Sequence, residues 1–142
     1  MRGGRRGYEA AVILPVLLAS VLAAAPCPSD LLVANPRLKV TRTTDKTRDS
    51  YVVTVDVKNR GMMNQPFDTR QHLALVRGGV TLGTQTIPAL GANESYAAAF
   101  GLRMPHRAKR EPLSVEFRYV LDSKNASRAN CTSANDRLAA TL

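Results

Sequence analysis

Few residues in this chain have chemistry to offer. They are two histidines, His72 and His106, two cysteines, Cys27 and Cys131, and one basic run, His106-Arg107-Ala108-Lys109-Arg110. A nucleophilic triad needs an imidazole within hydrogen-bond reach of both a nucleophile and an orienting carboxylate. His72 falls inside an alternating apolar run beside Gln71, and His106 falls in the basic run, so nothing in their spacing supplies such partners. No catalytic residue is assigned, and the chain is not expected to be an enzyme. Cys-x-x-Cys, His-x-x-x-His and a dense Asp/Asn calcium loop are all missing from the sequence. Asp45 and Asp49 are interleaved with Lys46 and Arg48, the pattern of a solvated loop. Neither a metal site nor a cofactor is expected.

The basic run is the sharper candidate. Pro105 and Pro112 flank it, which predicts an exposed loop holding the permanent charges of Arg107, Lys109 and Arg110. The chain carries a net charge of +9, so the loop adds to a general positive field. His106, Arg107, Lys109 and Arg110 are therefore the candidate binding loop. Their charge-assisted hydrogen bonds suit phosphate, sulfated glycan, teichoic acid or lipopolysaccharide. The plainer alternative is a loop that only confers solubility. Nucleic acid is not expected as a partner, because a chain without Trp and with few other aromatics lacks stacking platforms.

The amino terminus reads as an export signal. Arg2, Arg5 and Arg6 precede an apolar stretch from Ala10 to Ala25 that ends in Ala23-Ala24-Ala25, a pattern signal peptidases accept. Residues 1–25 are the expected signal peptide, cleaved after Ala25, with residues 26–142 as the mature domain. The stretch is short of the ~20 residues of a membrane span, although a retained anchor is the alternative. No second apolar span follows, so no membrane span is expected after signal removal. The expected location is secreted, or periplasmic and envelope-associated. Cys27 stands two residues past the cleavage point as a lipidation site, half of a disulfide or a free thiol. Pro26 occupies the position where lipidation wants a small residue.

Beyond the leader, period-two alternation dominates. Tyr51, Val53, Val55 and Val57 share one face of a run that Asn59-Arg60-Gly61 stops with turn chemistry. Phe67, Thr69, Gln71, Leu73 and Leu75 share a face of the next run, and Arg77-Gly78-Gly79 joins it to Val80–Ile87 as a hairpin. Residues 95–102 follow, and then 113–121 with Leu113, Val115, Phe117, Tyr119 and Leu121 to one side. Residues 31–41 read as an edge strand broken at Asn35-Pro36, and residues 135–142 as a short last strand. No helical periodicity is found. About seven short strands with short connections predict an all-β, immunoglobulin-like antiparallel sandwich.

The order of these motifs resembles the CARDB domain, the cell-adhesion-related domain found in bacteria. The likeness rests on Asp30-Leu31, on Val53 through Gly61, on Gly83-Thr84-Gln85-Thr86-Ile87-Pro88-Ala89-Leu90, and on Tyr119 to Asp122 followed by an Asn-rich turn. It spans Asp30 to Leu142. The segment from Ala129 to Asp136 departs from the family pattern by carrying Cys131, and the loop before Leu113 is unusually basic. The resemblance implies a non-catalytic extracellular or envelope module, and the favoured reading, with the basic loop, is an adhesion or interaction module that binds a protein or an anionic glycan or cell-envelope surface. A small secreted protease inhibitor is the alternative, with Met62-Met63 and Met104-Pro105 as its only apolar hints. In a sandwich of this kind the first strand begins at the same end as the loop between the last two strands. Together with export and an even cysteine count, this pairs Cys27 with Cys131.

Overall fold

The computed structural model describes residues 27–42, 47–122 and 126–142. The predicted signal peptide and its Ala25 cleavage point lie outside the described residues. Seven strands are described: β1 (Leu31–Arg42), β2 (Arg48–Asn59), β3 (Gln71–Arg77), β4 (Val80–Ile87), β5 (Ser95–Pro105), β6 (Ser114–Leu121) and β7 (Arg137–Thr141). They form two antiparallel sheets, ordered β1-β2-β5 and β4-β3-β6-β7. This is an immunoglobulin-like sandwich. Among the described residues no helix is long and apolar enough to cross a membrane.

The alternating residues fill the space between the sheets. Val53, Val55 and Val57 from β2 meet Leu73 and Leu75 from β3 and Val115, Phe117 and Tyr119 from β6 in one core. At its centre the rings of Phe100 and Phe117 lie 6.4 Å apart at an interplanar angle of 48°, within the range of favourable tilted aromatic pairs. Burial of the Tyr119 phenol pushes its pKa up, and its hydroxyl donates to Gln71 Oε1 at 2.5 Å.

Two elements, β3 and a short helix, differ from the sequence reading. β1 agrees with it, as an edge strand whose ladder is interrupted at Asn35-Pro36 by a register shift between Ala34 and Arg37, with a φ of 54° at Asn35. Asn tolerates that left-handed geometry, and Asn35 Nδ2 donates to Asp56 Oδ2 at 3.1 Å. Arg37 binds the same carboxylate through both of its terminal nitrogens and holds its pKa below the usual range. β3 begins only at Gln71, so Phe67 and Thr69 are not core-facing strand residues. The Pro66 carbonyl accepts from both the backbone and the hydroxyl of Thr69, closing a turn that leaves Phe67 97% exposed. A single helical turn, α1 (Ala126–Ala129), sits between β6 and β7. It is too short to leave a periodic signal.

Candidate functional site

Strand direction sorts the loops into two ends. β2 begins, β3 ends and β5 ends at one of them, as the pairing of Arg48 with Pro105 and the tight turn at Arg77 show. The loop after β5 therefore shares this end with the β3–β4 hairpin. At the other end lie Cys27, the β2–β3 loop, the β4–β5 loop and the β6–β7 loop.

At the first end the four candidate binding residues divide. His106 turns inward: its Nδ1 lies 3.1 Å from both carboxylate oxygens of Asp49, which is itself 5% exposed. The His106 amide donates to the Thr47 carbonyl at 2.9 Å. His106 therefore anchors the loop rather than presenting it. Arg107 pairs with Glu111 four residues on. Lys109 and Arg110 are exposed and have no carboxylate partner among the described residues. A recess of about 190 Å³ opens beside the loop, and three guanidinium side chains line it: Arg77, Arg107 and Arg110. Among the described residues Glu111 is its only acidic lining residue, and Tyr51, Met104, Pro112 and Leu113 contribute to its wall.

Arg77 was not among the residues expected from sequence. It ends β3 directly before Gly78 and Gly79, whose φ values of 55° and 79° make the hairpin turn. Its Nη1 lies 3.9 Å from Met104 Sδ on the facing sheet. The available signal was topological, since a β3–β4 turn must fall at the same end as the β5–β6 loop.

The other end is built from buried amides. Gln65 and Gln71 exchange hydrogen bonds at 2.9 and 2.8 Å. Gln65 also donates to the Ala129 carbonyl and accepts from the Leu90 amide. Asn59 bonds to the Met63, Leu90 and Gly91 carbonyls. These bonds hold the β2–β3 loop, which carries the exposed side chains of Met62, Met63 and Phe67. A disulfide joins Cys27 to Cys131 here, with the Cα atoms 5.7 Å apart.

His72, on β3, has a carboxylate partner after all. Its Nδ1 lies 2.8 Å from Asp122 Oδ2, in a shallow groove that also includes Thr84 and Thr86. That is one half of a triad, but no hydroxyl bonds the other ring nitrogen among the described residues. No group of three or more His, Cys, Asp or Glu side chains is placed to hold a metal among those residues either.

Two sheets in this order, closed by loops at both ends, define an immunoglobulin-like β-sandwich module. A family model for CARDB matches residues 28–137. The chain belongs to the CARDB family. A CARDB domain from Pyrococcus furiosus, solved in complex with di-metal ions, is 19% identical with a TM-score of 0.48, over 82% of this chain and 93% of that one. A Bordetella pertussis protein assigned as ApaA is 14% identical with a TM-score of 0.36, over 81% of this chain and 89% of that one. No curated protein matches the chain.

Proposed function

We propose that this CARDB domain is a non-catalytic adhesion or interaction module. It works outside the cytoplasm and engages an anionic partner, a protein or a cell-envelope surface, through the basic end of its sandwich. One observation carries the reading: Arg77, Arg107 and Arg110 line a single recess in which Glu111 is the one carboxylate among the described residues. Clustered guanidinium groups with so little internal neutralisation attract anions and bind carboxylate, sulfate or phosphate in paired geometry. Retention on dextran sulfate beads, against neutral dextran, tests it. The wild type is retained at low salt and released as the Debye length falls toward ~3 Å at 1 M. A variant with Arg107, Lys109 and Arg110 all changed to Ala elutes with the unbound fraction. Equal recovery of the two proteins at every salt concentration overturns the reading.

The second reading, a small secreted protease inhibitor, is favoured by the opposite end. Met62, Met63 and Phe67 project from a loop pinned by buried amides. A preorganised loop with apolar anchors loses little entropy on entering a cleft. Stoichiometric inhibition of a member of a protease panel, lost in Phe67→Ala, is the expected result for that reading. Absence of inhibition across the panel removes it.

A further inference from the structure

We propose that the recess at the basic end receives one acidic residue of a peptide segment belonging to a protein partner. The carboxylate is held by Arg77 and Arg110, and the neighbouring apolar side chain packs on Met104 and Pro112. This rests on the reading of the basic end as an anion-binding surface and names the chemistry of what that surface takes.

The size of the recess sets the scale of the guest. At about 190 Å³ it is smaller than the ~300–1,000 Å³ of pockets that enclose a drug-sized ligand, so one residue-sized unit of a larger chain enters. Its walls set the chemistry. The cationic groups come from two separate loops, with Arg77 at the β3–β4 turn and Arg107 and Arg110 after β5. Arg107 is already engaged by Glu111. Arg77 and Arg110 have no acidic partner among the described residues, and they are left to take a carboxylate from outside. The remaining lining side chains are Tyr51, Met104, Pro105, Pro112 and Leu113. Among the described residues no Asn, Gln, Ser or Thr lines the recess. A sugar unit can use the guanidinium groups and Glu111, but it would also press hydroxyls against Met104, Pro105 and Pro112, whose side chains offer them no hydrogen-bond partner. An acidic residue beside an apolar one leaves no such deficit. Proline and methionine walls also suit a peptide side chain, because they offer apolar surface without demanding hydrogen bonds.

The test measures fluorescence polarisation of a labelled peptide of alternating Leu and Glu, with polygalacturonate and dextran sulfate as competitors. Three proteins are compared: the wild type, Arg77→Gln and Lys109→Gln. The two variants lose the same charge, but Arg77 lines the recess and Lys109 does not. Both positions are exposed, so both variants should keep the fold, as far-ultraviolet circular dichroism would verify. Arg77→Gln is expected to weaken peptide binding about 10-fold or more, as loss of a charge-assisted bond should. Lys109→Gln should weaken it by no more than about 2-fold, in line with an exposed charge. Equal loss in the two variants overturns the proposal, leaving a diffuse basic surface. So does polygalacturonate binding that depends on Arg77 when peptide binding does not, since the recess then takes an acidic sugar. Retention of the wild type by dextran sulfate without peptide binding also sinks the recess proposal while sparing the broader reading. Failure to bind either probe removes both.

Discussion

Replacing Asn59 with Ala is expected to cost about 3–5 kcal/mol of folding stability, seen as a lower urea midpoint with little change in slope. The Asn59 side chain is fully buried. Its Oδ1 accepts from the Gly61 amide at 2.9 Å and the Asp30 amide at 3.2 Å. Its Nδ2 reaches the carbonyls of Met63, Gly91 and Leu90 at 2.9, 3.1 and 3.3 Å. One side chain thus joins the start of β1, the β2–β3 loop and the β4–β5 loop. Alanine leaves several of these buried backbone groups without a partner, each at roughly 1–3 kcal/mol, against a total stability of about 5–15 kcal/mol for a domain of this kind. Asn59→Asp separates the hydrogen bonds from simple packing. It keeps the acceptor but turns the donor into an oxygen facing three carbonyls. At neutral pH it should be at least as damaging as Ala, and it should recover part of the loss in acid, where a protonated carboxyl can donate again. An Ala variant within about 1 kcal/mol of wild type would mean that water or loop movement replaces the amide.

The same residues show what the amino-acid sequence can and cannot reveal. Alternation placed Tyr51, Val53, Val55 and Val57 on one face because a pleated strand with one buried side requires it, and those residues are buried. It also grouped Leu113, Val115, Phe117 and Tyr119 correctly. Periodicity reports which face of a strand is buried, however, and says nothing about which loops converge. Asn59-Arg60-Gly61 read as a turn, and its deeper requirement is close approach. A Cβ at Gly61 would stand 2.4 Å from Ser29 Cα and 2.5 Å from the Pro28 carbonyl oxygen. The extension of β3 back to Phe67 failed because alternation continues through the Pro66 turn by coincidence of residue type. Gln71 does lie on the buried face with Leu73 and Leu75, and its partners, Gln65 and Tyr119, come from elements that no local pattern connects to it.

The candidate site was half legible for a related reason. Charge density marked Arg107, Lys109 and Arg110. Nothing local marked Arg77, which joins them only because two sheets face each other. Nor did composition distinguish His106, whose bond to buried Asp49 draws it away from solvent, from the exposed cations beside it. The two ends of the sandwich also differ in how they are held. The basic end has the bond of His106 to buried Asp49 and an exposed ion pair, Arg107 with Glu111, the second of a kind that contributes little stability. The opposite end has the buried amides and the disulfide.

That asymmetry makes the second large effect specific to one end. Changing both Cys27 and Cys131 to Ser is expected to remove up to about 4–5 kcal/mol, because the bridge closes a loop between cysteines 104 positions apart and so restricts the unfolded chain. The native contacts near it do not depend on the sulfurs. The Cys131 amide donates to the Ser29 carbonyl at 3.0 Å, the Ser29 hydroxyl to the Arg128 carbonyl at 2.5 Å, and the Leu31 amide to Asn130 Oδ1 at 3.0 Å. These bonds hold the start of β1 against the β6–β7 loop, so the double variant should keep the native circular dichroism spectrum while unfolding at a lower urea concentration. Wild type treated with dithiothreitol should behave in the same way. Binding to dextran sulfate should be unchanged in both, since Arg77, Arg107 and Arg110 sit at the far end of the strands. If the reduced protein stays folded and still loses dextran sulfate, the two ends are coupled through the sheets, and the recess cannot be treated as an independent site. If reduction leaves the urea midpoint where it was, the β1 start and the β6–β7 loop are held by their hydrogen bonds alone, with the unfolded chain already restricted by other means.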